Sequence, residues 1–320
     1  METKLNYKRT FLIGLAFLSI CSFWQMYDNI IPLILQNTYH LGETMTGAVM
    51  ALDNVLAIFL LPVCGMLSDK VHTKLGRRMP FIVAGTILAV IFMMMLPMID
   101  NAEKARWATG GSFSNQVFFL GVLFLTLVSM GLYRSPAVAL MPDVTPNHLR
   151  SRANAVINLM GAVGGVYALI MIKVLVGKGE TPDYLPLFAS IAAVMAIAVG
   201  ILVITIRENK LREEVEKAEA ANADTIEEKA MAEGVEAAGE IEAVGDTGET
   251  KAFEEKQQTA KTESAKDMPK DVKRSMYFML ASIFLWFTAY NAVTTAFSRY
   301  TKVVWKMEGG SFANCLMVAT

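Results

Sequence analysis

Seven long apolar runs, separated by short polar stretches, set the pattern of this chain. They cover about Phe11–Leu35, Thr44–Leu67, Pro80–Met98, Gln116–Met141, Arg152–Val176, Leu185–Ile206 and Met276–Tyr300. The apolar residues come in blocks, not at the spacing of one amphipathic face, and about 20 of them are what a helix needs to cross a ~30 Å hydrocarbon core. The pattern predicts an all-α integral membrane protein with a six-helix N-terminal bundle over 1–206 and the start of a second bundle over 273–320. A polar segment, 207–272, lies between them. After Gly309-Gly310 another apolar run begins at Ser311, and its ten residues are too few to cross a bilayer, so the sequence reads as stopping inside an eighth span.

Composition agrees: 54% of the 320 residues are apolar and 18% charged, against about 25% charged in a soluble domain. The net charge of −1 conceals two opposed parts. Residues 207–272 hold 19 acidic and 10 basic side chains, leaving an excess of basic residues for the rest of the chain. Lys and Arg gather at the N-terminus, in the 2–3 and 4–5 links and after span 6, which predicts that these ends face the cytoplasm. This is the charge layout of a membrane body with basic edges, and it argues against nucleic-acid binding. The 207–272 segment is rich in Glu, Ala, Lys and Thr with Phe253 as its one aromatic residue; its first part suits a solvated helix and its later part disorder. Cys21, Cys64 and Cys315 are scattered in apolar runs, and neither they nor His40, His72 and His148 have metal-ligand spacing. The first apolar run carries Asp28 and outlasts a signal-peptide core, so it reads as a span that stays.

One polar interruption stands out: Gly65-Met66-Leu67-Ser68-Asp69, six residues, then Gly76-Arg77-Arg78-Met79-Pro80-Phe81-Ile82. A carboxylate at the end of span 2 suits ion pairs with arginines of the loop, and Gly65 suits close helix approach. The plainer account is that Arg77 and Arg78 fix topology and meet anionic lipid. The motif resembles the 2–3 loop signature of the sucrose–proton symporters of plants and their animal and bacterial relatives, within the major facilitator superfamily. The stretch Ala139-Leu140-Met141-Pro142-Asp143, with Arg152-Ala153-Asn154-Ala155, is similar to that family's 4–5 junction. The architecture also resembles, more distantly, the glycoside–pentoside–hexuronide cation symporters. The resemblance implies a major facilitator-type bundle and a gating role for Gly65, Asp69, Gly76, Arg77, Arg78, Asp143 and Arg152 between the two halves of a carrier. Where the sucrose family has an Arg directly before Ala-Leu-Met, this chain has Val138, and its intramembrane arginine is Arg134, one helical turn earlier.

Carboxylates within spans are costly, so by default they face a cavity and function. Asp28 and Asp53 lie about 8 and 10 residues from the outer ends of spans 1 and 2, roughly 12–15 Å deep at 1.5 Å per residue, and so are expected to share one cavity. Gln25, Asp28 and Asn29 share a helical face, Asn54 adjoins Asp53, and Pro32 withholds an N–H from the Asp28 carbonyl. Such a carboxylate is suited to taking up and releasing a coupled proton; a single structural Asp bonded to a neighbouring span is the simpler account. Arg134 is expected either to join this site or to snorkel to the near edge of the bilayer. Asn158 on span 5 is a candidate hydroxyl partner or an inter-span tie.

Together these features predict a plasma-membrane carrier, N-terminus cytoplasmic, monomeric, without cofactor, and not an enzyme. Its expected work is symport of a sugar (a disaccharide or other glycoside, on the resemblance) coupled to H+, with Na+ as the other coupling ion the carboxylates would serve. The rival readings are a non-transporting membrane sensor or scaffold acting through 207–272, and an inactive fragment of a carrier.

Overall fold

A computed structural model describes residues 5–319 except 72, 74, 110–114, 178, 180, 216, 218–269 and 308–309. Most of the acidic segment, and with it the expectation of disorder there, lies outside the described residues. Two compact bodies are present, Met1–Ala218 with Thr294–Thr320, and Glu219–Val293.

The helices fall where the apolar runs predict them: α1 Tyr7–Asn37, α2 Glu43–Lys70, α3 Met79–Ala108, α4 Gln116–Asp143, α5 Arg150–Leu175, α6 Leu185–Thr205, α7 Lys270–Val303 and a short α8 Ala313–Ala319. The first seven are long and apolar enough to cross a membrane. Among the described residues there is no β-strand, only an isolated bridge between Thr73 and Gly76.

Small residues bring the backbones together, as expected where lipid tails give helices no hydrophobic reason to associate. A Cβ on Gly164 of α5 would lie 2.1 Å from the Leu18 carbonyl oxygen of α1, and the Ser22 hydroxyl donates to the Gly164 carbonyl at 2.8 Å. A Cβ on Gly85 of α3 would meet the Tyr133 backbone of α4 at 2.7 Å. The buried Tyr133 hydroxyl bonds Ser19 Oγ at 2.5 Å and donates to the Ala16 carbonyl at 2.9 Å, tying α4 to α1. α1 runs unbroken through Pro32.

Two boundaries differ from those the sequence suggests. The stretch Ile99–Asn115 reads as a link, yet α3 continues to Ala108. Its charges are spaced for a helix: Lys104 meets the buried Asp100 at 2.5 Å and donates to the Pro182 carbonyl at 2.6 Å, while Glu103 accepts from the Asn115 N–H at 3.0 Å and from Trp107 Nε1 at 3.3 Å. A helix thus pays for its polar turns with i, i+4 pairs and partners on the adjoining links. The second boundary lies after α6. Residues 208–215, read as the start of the acidic segment, are helical and pack into the first body, with Leu211 and Val215 buried and Arg9 paired to Glu214 at 3.2 Å.

Candidate functional site

The α2–α3 link forms a closed polar cluster. Arg78, 6% exposed, is its centre. Its Nη2 meets Asp69 Oδ1 at 2.6 Å, its Nε donates to Asp143 Oδ2 at 2.9 Å, and its Nη1 donates to Ser68 Oγ at 2.5 Å and to the Gly65 carbonyl at 3.4 Å. Arg77 Nη2 donates to the same Asp143 oxygen at 2.9 Å and stands 3.9 Å from Asp69. One guanidinium therefore gathers the end of α2 and the end of α4, using the fixed fork that a lysine lacks. Asp143 is the better sheltered carboxylate, its side chain 19% exposed against 49% for Asp69.

A residue that sequence reasoning left in the acidic segment completes the cluster. Glu208, 1% exposed, accepts from the backbone N–H groups of Arg77 (2.8 Å), Arg78 (3.0 Å to each oxygen) and Met79 (3.1 Å). These are the orphan donors at the start of α3, where a carboxylate also meets the positive end of the helix dipole. The signal was present in the sequence: Arg78 occupies the N-cap position, where Ser, Thr, Asp or Asn would serve locally, so the acceptor had to come from elsewhere. Gly76 makes room for it. Its φ of 126° suits glycine, and a Cβ there would lie 2.2 Å from Glu208 Oε2. Gly65 lies close to α4, where a Cβ would meet Ser135 Oγ at 3.4 Å.

Arg152 does not join these residues. It is exposed, and among the described residues no hydrogen bond or ion pair links it to the cluster. Arg150, two residues earlier at the start of α5, holds the α4–α5 turn by donating to the carbonyls of Pro142 at 2.9 Å and Thr145 at 3.2 Å. The preceding Pro-broken turn brings those carbonyls within reach of Arg150.

Within the spans, a second group forms around Asp53. A cavity of about 40 Å³ is lined by Trp24, Asp53, Asn54, Gly131 and Arg134 with apolar side chains of α2 and α4. Asp53 lies within electrostatic range of Arg134 and of Asp28. Asn54 Nδ2 donates to Asp53 Oδ1 at 3.0 Å, and the Arg134 guanidinium sits over the Trp24 ring, 5.5 Å from its centroid. Arg134 is thus turned inward, not toward the edge of the bilayer. Trp24 Nε1 and the Tyr27 hydroxyl are buried without a partner among the described residues, and of the two only Trp24 lines the cavity.

The other predicted residues have different surroundings. Asn29 is buried with its amide donating to the Gln25 carbonyl of its own helix at 2.8 Å, and its Oδ1 is buried without a partner among the described residues. Gln25 points toward α5, where its Oε1 would lie 3.9 Å from a Cβ on Gly165. Asn158 is exposed, with no described hydrogen bond to Asp28, Asp53 or Arg134. Among the described residues no group of three or more His, Cys, Asp or Glu side chains is placed to hold a metal ion.

Comparison with known proteins places these features. Sucrose transport protein SUC4 of Arabidopsis thaliana is 37% identical over 117 residues, 34% of this chain and 22% of its own length. Sucrose transport protein SUT3 of Oryza sativa subsp. japonica is 26% identical over 137 residues, 40% of this chain and 27% of its own. The matched part therefore spans about a quarter of the length of these relatives. The sequence pattern of the Major Facilitator Superfamily extends much further, matching residues 8–319. With seven membrane-length helices under that match, the chain belongs to the Major Facilitator Superfamily.

Proposed function

We propose that the protein is a secondary active carrier, not an enzyme, that moves a sugar across the plasma membrane by proton-coupled symport and alternating access. The observation that carries this reading is the placement of Asp28, Asp53 and Arg134 on three different spans within electrostatic range of one another along the chain Asp28–Asp53–Arg134. With both carboxylates ionised this group carries one negative charge; one bound proton makes it neutral. A low-dielectric span penalises the charged form far more than the neutral one, so an occluded intermediate favours the protonated group. Substrate binding and proton uptake are coupled in that way.

The side chains at this place are of the kinds that bind a glycoside, and its cavity of about 40 Å³ has to widen during the cycle to admit one. Trp24 presents an aromatic ring, Arg134 a fan of donors, and Asn54 and Asp53 an amide and an acceptor. The relatives described as sucrose transport proteins support a disaccharide or related glycoside as the cargo. The distribution of Lys and Arg supports a cytoplasmic side for the N-terminus and the Asp69–Arg78–Asp143–Glu208 cluster. There the cluster acts as a latch, closed by the ion pairs of Arg77 and Arg78, and opening of the inward path breaks them.

The test is uptake of radiolabelled sucrose into proteoliposomes under an imposed pH gradient, with a sodium gradient as the comparison. Uptake driven by the pH gradient, and flattened in its pH dependence by Asp53→Asn or Asp28→Asn, is the expected result. Uptake driven by sodium alone, or an unchanged pH dependence in both variants, overturns the proton assignment. A panel of sugars that all fail to accumulate overturns the cargo.

A further inference from the structure

At the end of α2 opposite Asp69, a second polar contact joins the start of the bundle to the end of α7. Arg299 Nη2 meets Glu43 Oε1 at 3.2 Å, and Arg299 Nη1 donates to Gln36 Oε1. Gln36 lies in the last turn of α1 and Glu43 is the first residue of α2. One guanidinium thus gathers two adjacent helix ends, as Arg78 gathers two others at the far end of α2.

The surroundings make this more than an incidental surface pair. Ser298 and Thr301, flanking Arg299, are fully buried, as are Phe312 and Ala313 beyond the helix. A Cβ on Gly310 would lie 2.2 Å from the Ile172 carbonyl oxygen, so the chain after α7 lies flush against the end of α5. Lys302, one residue past Thr301, has its amine buried with no acceptor among the described residues. A buried ammonium without an acceptor is costly, whereas water would satisfy it. This packing therefore holds within it a group that gains when the end opens.

We propose that Arg299 is a positioning residue that holds this end of the bundle shut through Glu43 and Gln36 and releases when it opens, with Lys302 favouring release. The proposal rests on the carrier reading above: it gives the protein a second latch, on the side away from Asp69, so that opening of the two ends is governed by two separate arginines.

The experiment is amide hydrogen exchange by mass spectrometry on the full chain in lipid nanodiscs, read at residues 36–46 and 298–307, with sugar uptake measured on the same preparations. With Arg299 35% and Glu43 78% exposed, Arg299→Gln, which loses the ion pair and the Gln36 bond, is expected to raise exchange in both segments by roughly threefold to tenfold, and Glu43→Gln, which loses only the exposed ion pair, by roughly twofold to threefold. Exchange in the Arg77–Met79 region is expected to stay unchanged. The charge-reversed pair Glu43→Arg with Arg299→Glu restores protection. Lys302→Met is expected to lower exchange in the same segments, since it removes the group that gains from opening. Unchanged exchange in both single variants, or no recovery in the reversed pair, overturns the latch. Absence of uptake by the wild-type protein, with exchange as expected, overturns the carrier reading instead.

Discussion

Removal of the Glu208 carboxylate tests the organisation of the α2–α3 end most directly. Three backbone N–H groups, those of Arg77, Arg78 and Met79, bond to it at 2.8–3.1 Å in a buried setting. A lost N-cap costs up to about 2 kcal/mol, and loss of a carboxylate from the positive end of a helix dipole costs about 0.3–1 kcal/mol more. Burial places Glu208→Ala near the top of that range, at about 3 kcal/mol. At 1.4 kcal/mol per factor of ten, that is roughly a 100-fold rise in local opening, read as amide exchange at residues 77–79. Glu208→Gln keeps one acceptor oxygen and loses the charge, so it is expected to fall between, with roughly a tenfold rise. Exchange should change little in the middle of α3, because only the first turn depends on this acceptor. A Glu208→Ala variant whose exchange at 77–79 stays within about twofold of wild type would show that water or another side chain serves those donors, and the reasoning would fail.

Gly76→Ala should reproduce the Glu208→Ala exchange pattern, since its Cβ would fall 2.2 Å from the carboxylate and its φ is 126°; normal protection at 77–79 would refute that. Asp143→Asn should lower thermal stability in detergent more than Asp69→Asn, because Asp143 accepts from both arginines and is the more buried of the two; the reverse order would contradict the geometry. Gly164→Ala should cost about 1–3 kcal/mol, as overpacking does, measured as reduced thermal stability, since its Cβ would be driven against the Leu18 carbonyl. Arg78→Lys should leave membrane insertion intact yet loosen the cluster, because an ammonium cannot hold Asp69, Asp143 and Ser68 at once; uptake equal to wild type would sink the proposed latch.

The number and order of the spans, and the family, were legible in the sequence, because a bilayer imposes a length and an apolarity that each helix must meet on its own. The 2–3 motif was legible for the same local reason: Gly65, Asp69, Gly76, Arg77 and Arg78 fall within fourteen residues of chain. What the tertiary structure decided was every partner that comes from far along the chain. Glu208 reaches Arg77–Met79 from about 130 residues away, and Arg299 reaches Glu43 across more than half of the molecule. Arg134 could be placed in a span by composition, but whether it turned inward to Asp53 and Trp24 depended on how α1, α2 and α4 pack. Asn158 could be placed on α5 by sequence, but that it is exposed was set by the packing of that helix. Hydropathy specifies each helix separately from its neighbours; the facing of one polar side chain toward another is a property of the packed bundle, set by the close contacts at Gly85 and Gly164 and by backbone donors that had no acceptor of their own.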